Sequence, residues 1–186
     1  IPAVMKQAVL SIEDSRFYEH GGIDYVGVLR SVVANIGAAR SQGASTITMQ
    51  VARNFYLSSE KKYIRKIYEA LLAYKIESQL SKDEILELYM NQIYLGQRAY
   101  GFAAAAEIYF GKALKDISVA EAAMLAGIPK APSAYNPVAN PRRAKVRQRY
   151  IIERMMENGH ISREQADRAK KEPLRLRSAS DVPVHA

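Results

Sequence analysis

The sequence lacks cysteine altogether, which excludes disulfide bonds and thiolate metal sites and leaves the compartment open. Its three histidines, His20, His160 and His185, are scattered along the 186 residues and argue against a histidine-based metal site. No apolar run approaches the roughly 18 residues that a membrane-spanning helix needs, and no secretory signal is visible. The sequence therefore predicts no membrane-spanning helix.

Acidic residues are fewer than basic ones, and the net charge is +8. The excess is unevenly placed, because residues 140–177 contain twelve Lys and Arg but five Asp and Glu. Such a segment suits an anionic partner, which could be nucleic acid, an anionic membrane surface or a phosphorylated substrate. A solvated pair of helices explains the same charges equally well.

Strand-like alternation is also missing, and almost every segment has helical spacing. The apolar fraction of 48% and the length suffice for one domain with a real core. We expect a first helix over residues 3–20, closed by two glycines, and an apolar segment over 25–40 that is either deeply buried or lies on a membrane. A proline-rich stretch, 129–141, predicts a loop before the basic helix 141–159.

Several local signals delimit the other helices. A serine cap, Ser58 or Ser59, precedes a segment with an apolar stripe, which predicts a helix. Ser81 with Glu84, and Ser118 with Glu121, have the spacing of capping boxes. Gly96 and Gly127 are the expected C-terminal ends of the two helices that these boxes begin. A short helix over 162–173 is expected after the basic helix. The stripe of the serine-capped helix comprises Ile64, Ile67, Leu71, Tyr74 and Ile76.

The stretch "SIEDSRFYEHGG" contains three acidic residues, an arginine and a histidine within eight positions. In a continuous helix, Glu13, Phe17 and His20 share one face, and Asp14 is rotated by about 100° from Glu13. One acid could then face a cleft while its neighbour is held by the backbone or a base, an arrangement that suits a general base. A charged helix end is the other interpretation, and the spacing alone does not decide between them.

Two further stretches carry candidate binding groups. "GASTITMQ" offers hydroxyls, an amide and exposed N–H groups for a phosphate or a sugar, although an ordinary helix cap has the same composition. In "RKIYE", Arg65 and Glu69 are four residues apart and can form an ion pair. Alternatively, Glu69 is a second acid in a basic pocket, kept ionised by neighbouring cations.

The segments taken in order resemble the glycosyltransferase domain of class A penicillin-binding proteins. The resemblance rests on "EDSRFYEHGGID", "QGASTITMQ", "RKIYEALLAYKIE", "SKDEILELYMNQIYLG" and "GIPKAPSAYNP", and covers about residues 3–170. It implies a mostly helical, lysozyme-like domain over 1–172, with a small membrane-associated lobe at about 23–42. It also implies polymerisation of lipid II, with inversion at the anomeric carbon and release of undecaprenyl pyrophosphate.

The resemblance assigns roles residue by residue. Glu13 would be the general base for the acceptor's 4-hydroxyl, and Glu69 the acid on the donor side near the pyrophosphate. Structural support would come from Lys82, Glu87 and Tyr89. The substrate-binding residues would be Asp14, Phe17, His20, Gly43, Ser45, Thr46, Thr48, Gln50, Arg53, Lys61, Arg65, Lys66, Asn91 and Arg147.

The sequence departs from the family's pattern at two places. The second motif usually reads Gln-Gln and here reads Met49-Gln50, so one amide is lost from the expected donor contacts. The fifth motif usually continues as Arg or Lys and Asn, and here Gln148 and Arg149 follow Arg147. Neither departure affects the two glutamates.

The resemblance also implies partners and a location. We expect lipid II and the growing glycan chain as substrates, an anionic membrane surface and phosphoglycolipid inhibitors as further partners, and no nucleic acid. The domain would lie on the outer face of the bacterial cytoplasmic membrane, anchored by a segment outside this chain, with 173–186 starting a linker to a transpeptidase domain. No cofactor is certain, although Mg²⁺ or Mn²⁺ could assist the leaving group. A lytic, lysozyme-like glycosidase and a non-enzymatic binding module remain the rival hypotheses.

Overall fold

The protein is mostly helical, as the sequence predicts. The computed structural model describes residues 1–25, 45–56 and 62–177. Within these ranges no strand forms, and the only bridge pairs Tyr94 with Tyr100. The helices are α1 (Ala3–Glu13), α2 (Ile47–Tyr56), α3 (Lys62–Gln79), α4 (Lys82–Gln92), α5 (Phe102–Phe110), α6 (Val119–Ala126), α7 (Pro132–Tyr135), α8 (Pro141–Glu157) and α9 (Arg163–Lys171), with a 3₁₀ turn at Leu114–Asp116.

The chain divides into two compact units. One consists of Glu13–Tyr89, and in it α2 packs against α3. The other consists of Ile1–Ile12 with Met90–Ala186, and in it α8 packs against α6, α7 and α9. Every candidate site residue of the first three motifs that the structure describes belongs to the Glu13–Tyr89 unit.

The predicted capping boxes are confirmed. Ser81 Oγ accepts from the backbone N–H of Glu84 at 3.1 Å, and Glu84 accepts in return from the backbone N–H of Ser81. Ser118 and Glu121 make the same reciprocal pair at the start of α6. These contacts satisfy backbone N–H groups that a helix start leaves without partners, so they can be recognised from local sequence.

The first helix is shorter than predicted. We expected it to run to residue 20, but α1 ends at Glu13, and residues 15–19 form turns. The Asp14 carboxylate accepts a hydrogen bond from the backbone N–H of Ile47, 33 residues later. Because this contact and that to His20 hold Asp14 outside the helix, the prediction that Glu13, Phe17 and His20 share one helix face is wrong.

Two other boundaries differ from expectation. The proline-rich stretch is not entirely a loop, because α7 forms within it with Pro132 in its first turn, where the missing N–H costs nothing. Helix α4 ends at Gln92 rather than at Gly96. Gly96 instead has a φ of +73°, and a Cβ there would lie 2.9 Å from the Tyr109 hydroxyl, so the turn requires glycine.

Of the apolar stripe that predicted α3, only Ile76 lies on the buried face of the helix. Ile67 and Leu71 are 62% and 60% exposed, whereas Glu69, Ala73 and Ile76 are buried. The buried residues recur at i, i+4 and i+7, so the helix presents the side that carries Glu69 to the rest of its unit. Tertiary contacts to a carboxylate have overridden the orientation that burial of the larger apolar side chains would favour.

Several predictions concern residues that the structure does not describe. These are the membrane-associated lobe beyond residue 25, Gly43, Lys61, the serine cap at Ser58 or Ser59, and residues 178–186. Among the described residues, no helix is both long enough and apolar enough to cross a bilayer.

Candidate active site

The site begins where α1 ends. Glu13 is the last residue of this helix, and its Oε2 accepts a hydrogen bond from Gln50 Nε2 of α2 at 3.2 Å. The Tyr89 hydroxyl donates to Gln50 Oε1 at 3.4 Å, so the amide is held from both ends. Burial raises the pKa of Tyr89 well above its usual value, and the negative charge of Glu13 raises it further. Tyr89 is therefore a hydrogen-bond donor at neutral pH.

Asp14, beside this glutamate, is held rather than exposed. It is buried, and its Oδ2 lies 2.6 Å from His20 Nε2 and accepts from the Ile47 N–H at 3.2 Å. His20 also stacks edge-on against the buried ring of Phe17, with the ring centroids 5.9 Å apart. The expectation that one of the two adjacent acids is held by the backbone or a base is confirmed for Asp14, which makes both contacts just after the end of the helix.

The first turn of α2 is fixed by several contacts. Thr46 Oγ1 accepts from the backbone N–H of Met49 at 3.1 Å, as an N-cap does, and donates to the Gly22 carbonyl at 2.7 Å. The Asp14 carboxylate lies at the same helix end, where the helix dipole favours a negative charge. Met49, which replaces the family's first glutamine, is buried, while Gln50 keeps the amide that reaches Glu13.

Glu69 lies at the centre of a group of cations that we call the Glu69 cluster: Glu69, Arg53, Arg65 and Lys66. Arg53 donates from Nε to Oε1 at 2.7 Å and from Nη2 to Oε2 at 3.4 Å. Lys66 Nζ lies 3.2 Å from Oε2 and also contacts the Ser45 hydroxyl, and Arg65 Nε lies 3.5 Å from Oε1. The predicted i, i+4 pair is present, but Arg53 from another helix makes the shorter contact.

The electrostatics of this cluster suit an anionic ligand. Burial alone would raise the pKa of Glu69, but hydrogen bonds and charges from Arg53 and Lys66 outweigh it and hold the pKa below its usual value. The carboxylate is fully buried, while its cationic partners are 29–40% exposed. Three cations around one carboxylate leave a net charge of +2, with the positive groups turned to solvent.

A divalent cation does not fit this cluster. The oxygens of Glu69 already accept from Arg53 and lie beside Lys66 and Arg65, and the surplus positive charge repels a metal ion. Elsewhere in the ranges that the structure describes, no three His, Asp or Glu side chains are grouped closely enough to hold a metal.

Some predicted residues lie apart from these contacts. Thr48 is buried and donates to Glu77 at 2.8 Å, and Glu87 is exposed on α4. Asn91 and Arg147 belong to the other unit, where Arg147 donates to the Gly127 carbonyl at 3.3 Å and its guanidinium lies over the Tyr135 ring. The substrate-binding roles of these residues stay predictions.

Two residues acquire roles that no spacing rule indicated. Glu77 accepts from Thr48 and from Lys82 at 2.6 Å, and these three residues lie on three helices. Gln148, which departs from the family's pattern, is buried in its unit and donates to the Ala120 carbonyl at 2.8 Å. The stretch "RKIYEALLAYKIE" ends at Glu77, and its resemblance to the family's third motif was the one feature of the sequence that could have drawn attention to this residue.

Comparisons with known proteins identify the family of this chain. The family model described as Transglycosylase matches residues 1–156. The chain belongs to the transglycosylase family. It is therefore a glycosyltransferase of peptidoglycan biosynthesis.

Individual relatives of this transglycosylase domain differ in length. A protein of Cupriavidus necator described as a transglycosylase is 67% identical over 177 residues, which cover 95% of this chain and 77% of that protein. Penicillin-binding protein 1A of Neisseria lactamica is 64% identical over 93% of this chain but only 22% of its own length. The crystal structure of penicillin-binding protein 1A from Haemophilus influenzae is similar with a TM-score of 0.52 and 46% identity, covering 54% of this chain and 15% of that one.

Proposed function

We propose that this domain polymerises lipid II, joining its disaccharide units with inversion at the anomeric carbon and releasing undecaprenyl pyrophosphate. The observation that carries the proposal is the pair of contacts made by α2. Gln50 contacts Glu13 and Arg53 contacts Glu69, and the two side chains are three residues apart on one side of the helix. One rigid element thus holds an acid of each candidate half-site.

The proposed reaction assigns Glu13 as general base. Its carboxylate takes the proton of the acceptor sugar's 4-hydroxyl, and the oxygen attacks the anomeric carbon of the donor from the face opposite the pyrophosphate. The bond from that carbon to the pyrophosphate oxygen breaks, and its electron pair leaves with the lipid pyrophosphate. Arg53, Arg65 and Lys66 stabilise the charge that develops there, Arg through paired contacts and Lys as a point charge.

A phosphoglycolipid inhibitor would bind by the same chemistry. Its phosphate would meet the exposed cations of the Glu69 cluster, which already form a preorganised site of net positive charge. Such an inhibitor should compete with lipid II and lose affinity when Lys66 is replaced by Met.

The test of the proposal replaces Glu13 with Gln and follows both glycan formation and release of undecaprenyl pyrophosphate from lipid II. We expect turnover to fall by roughly 10²–10⁴, the usual contribution of a general base. Glu164→Gln, at an exposed position on α9, removes the same charge and serves as the matched control. Near-native turnover in a folded Glu13→Gln protein would exclude Glu13 as the base, and cleavage of preformed glycan would favour a lytic glycosidase.

We further propose that the domain works on the outer face of the cytoplasmic membrane and that α8 contacts anionic lipid. Arg142 and Arg149 are exposed, and Val146, 71% exposed, lies between them on the same face. No acidic residue occurs in 141–152. Basic side chains around an apolar one suit a headgroup surface.

Vesicle binding tests this membrane contact. Arg142→Gln with Arg149→Gln should weaken binding to phosphatidylglycerol vesicles by roughly tenfold or more, since each basic residue near an anionic surface contributes about 1 kcal/mol. Arg168→Gln with Lys171→Gln removes the same charge from α9 and should have less effect. Equal binding to phosphatidylcholine vesicles would contradict the proposal.

A further inference from the structure

Glu77 of α3 has no part in the reaction proposed above, yet its carboxylate joins three helices. Oε1 accepts from Thr48 Oγ1 of α2 at 2.8 Å and from Lys82 Nζ of α4 at 2.6 Å. The Thr48 side chain is fully buried, and that of Glu77 is nearly so. Thr48 lies in the first turn of α2, so Glu77 holds the helix at the end nearest Asp14.

The contacts continue from Lys82 to His20, and they define the protonation of the imidazole. The Gly22 N–H lies 3.1 Å and Lys82 Nζ 3.3 Å from His20 Nδ1. Because both groups can only donate, Nδ1 must be the acceptor, and the ring proton lies on Nε2. Nε2 then donates to Asp14 Oδ2 at 2.6 Å.

The series of hydrogen bonds that starts at Thr48 of α2 returns to the same helix. Asp14 Oδ2 also accepts from the backbone N–H of Ile47, the residue before Thr48. The contacts therefore form a ring that starts and ends in the first turn of α2. We call this the α2 ring; its members are Thr48, Glu77, Lys82, His20, Asp14 and Ile47.

Packing at Gly22 reinforces the ring. Gly22 has a φ of +106°, and a Cβ built there would lie 3.0 Å from Glu77 Cγ and 3.1 Å from the Ala73 carbonyl. The loop that carries His20 therefore lies directly on α3 at Glu77. Only glycine permits both this backbone conformation and this approach.

We propose that Glu77 is a positioning residue, which sets the first turn of α2 and thereby places Gln50 against Glu13 and Arg53 against Glu69. Only the expected effect on turnover rests on the proposed function; the positioning of α2 does not. A reacting group displaced by about 1 Å can lose about 10²-fold in rate, so an acid that touches no substrate can still govern turnover.

The kinetic test compares two substitutions of Glu77 in lipid II polymerisation. Glu77→Ala removes both hydrogen bonds and should lower kcat by roughly 10- to 100-fold with KM nearly unchanged. Glu77→Gln keeps an oxygen that can accept from both Thr48 and Lys82, so it should restore most of kcat. Glu164→Gln is the control for loss of an acidic charge at an exposed helical position.

Nuclear magnetic resonance provides a readout that does not depend on activity. In a background with His160→Gln and His185→Gln, the remaining imidazole is His20, and its ¹⁵N spectrum should show the neutral Nε2–H tautomer. Glu77→Ala should shift the Ile47 amide and the Gln50 side-chain NH₂ resonances, and Glu164→Gln should not. Thr48→Val, which leaves the Glu77–Lys82 pair intact, replaces Glu77→Ala if that variant does not fold.

The outcomes separate this inference from the proposed function. A wild-type protein that releases no undecaprenyl pyrophosphate would contradict the function, while the resonances would still decide the positioning role. An Nδ1–H tautomer, unshifted Ile47 and Gln50 resonances, or a kcat for Glu77→Ala within about twofold of wild type would overturn the inference. Equal losses in Glu77→Ala and Glu77→Gln with a raised KM would also overturn it, because they would indicate a charge contact with substrate.

Discussion

Two glutamates of this protein, one in each unit, are surrounded by cations in similar ways. Arg53 contacts both oxygens of Glu69, and Arg163 contacts both oxygens of Glu153 at 2.5 and 3.1 Å. A lysine joins each pair. The two carboxylates differ in exposure, since Glu69 is fully buried and the Glu153 side chain is 29% exposed.

The pKa shifts alone do not separate the two sites. The pKa of Glu153 is lowered to about 2 by hydrogen bonds from Arg163 and Lys170, and that of Glu69 is also lowered, although burial opposes the shift. Burying a charge costs free energy that its partners only partly return. A buried carboxylate whose cations remain open to solvent is therefore the better candidate for function, and an exposed cluster is typical of a surface ion network.

The largest difference should appear in activity when each glutamate is replaced by Gln. Glu69→Gln should lower lipid II polymerisation by roughly 10²–10³, because the cations that stabilise the leaving group lose the carboxylate that orients them. Glu153→Gln removes the same charge from the other cluster and should leave polymerisation unchanged. Similar turnover in the two variants, with both proteins folded, would remove the distinction drawn between the clusters.

A smaller difference is expected from the two arginines. Arg53→Lys keeps the charge but loses the fork that contacts both oxygens of Glu69, and should lower kcat roughly tenfold, as loss of one charge-assisted hydrogen bond does. Arg163→Lys makes the same change at Glu153 and should leave kcat as it is. A full-rate Arg53→Lys enzyme would indicate that positive charge suffices and that geometry contributes little.

The third difference concerns stability and pH. The pKa of Glu69 in the folded protein lies below its usual 4.5, so its contribution is present above that pH and is lost as the pH falls through the lowered value. Glu69→Gln should lower the free energy of unfolding by about 1–3 kcal/mol at pH 7, and the gap from wild type should narrow in acid. Denaturant titrations from pH 3 to 7 measure the difference in free energy of unfolding between the two proteins. A difference that widened as the pH fell would contradict the predicted direction of the pKa shift of Glu69.

The smallest expected effect is that of salt. Glu153 is partly exposed, so added salt should remove most of the stability difference between Glu153→Gln and wild type, whereas the difference for Glu69→Gln should persist. Thermal unfolding of both variants at low and high ionic strength measures the difference. Equal salt sensitivity would mean that Glu69 is more hydrated than its burial indicates.

Local signals explain what could be anticipated. Capping boxes at Ser81 and Ser118 follow from residues three apart, and the Arg65–Glu69 pair from residues four apart, so neighbouring sequence suffices. The contact of Arg53 with Glu69 joins different helices, and no periodicity indicates it. The same holds for Glu77 and Lys82, whose pairing depends on how two helices meet.

The sequence by itself determined that this protein is helical and where several helices start, because these features depend on residues within one or two turns of each other. Only the tertiary structure decided that α1 stops at Glu13 and that α3 buries Glu69 while most of its apolar stripe is exposed. In both cases the reason is a carboxylate. Asp14 and Glu69 each gain hydrogen bonds from residues far along the chain, and those contacts outweigh the local preference of the helix.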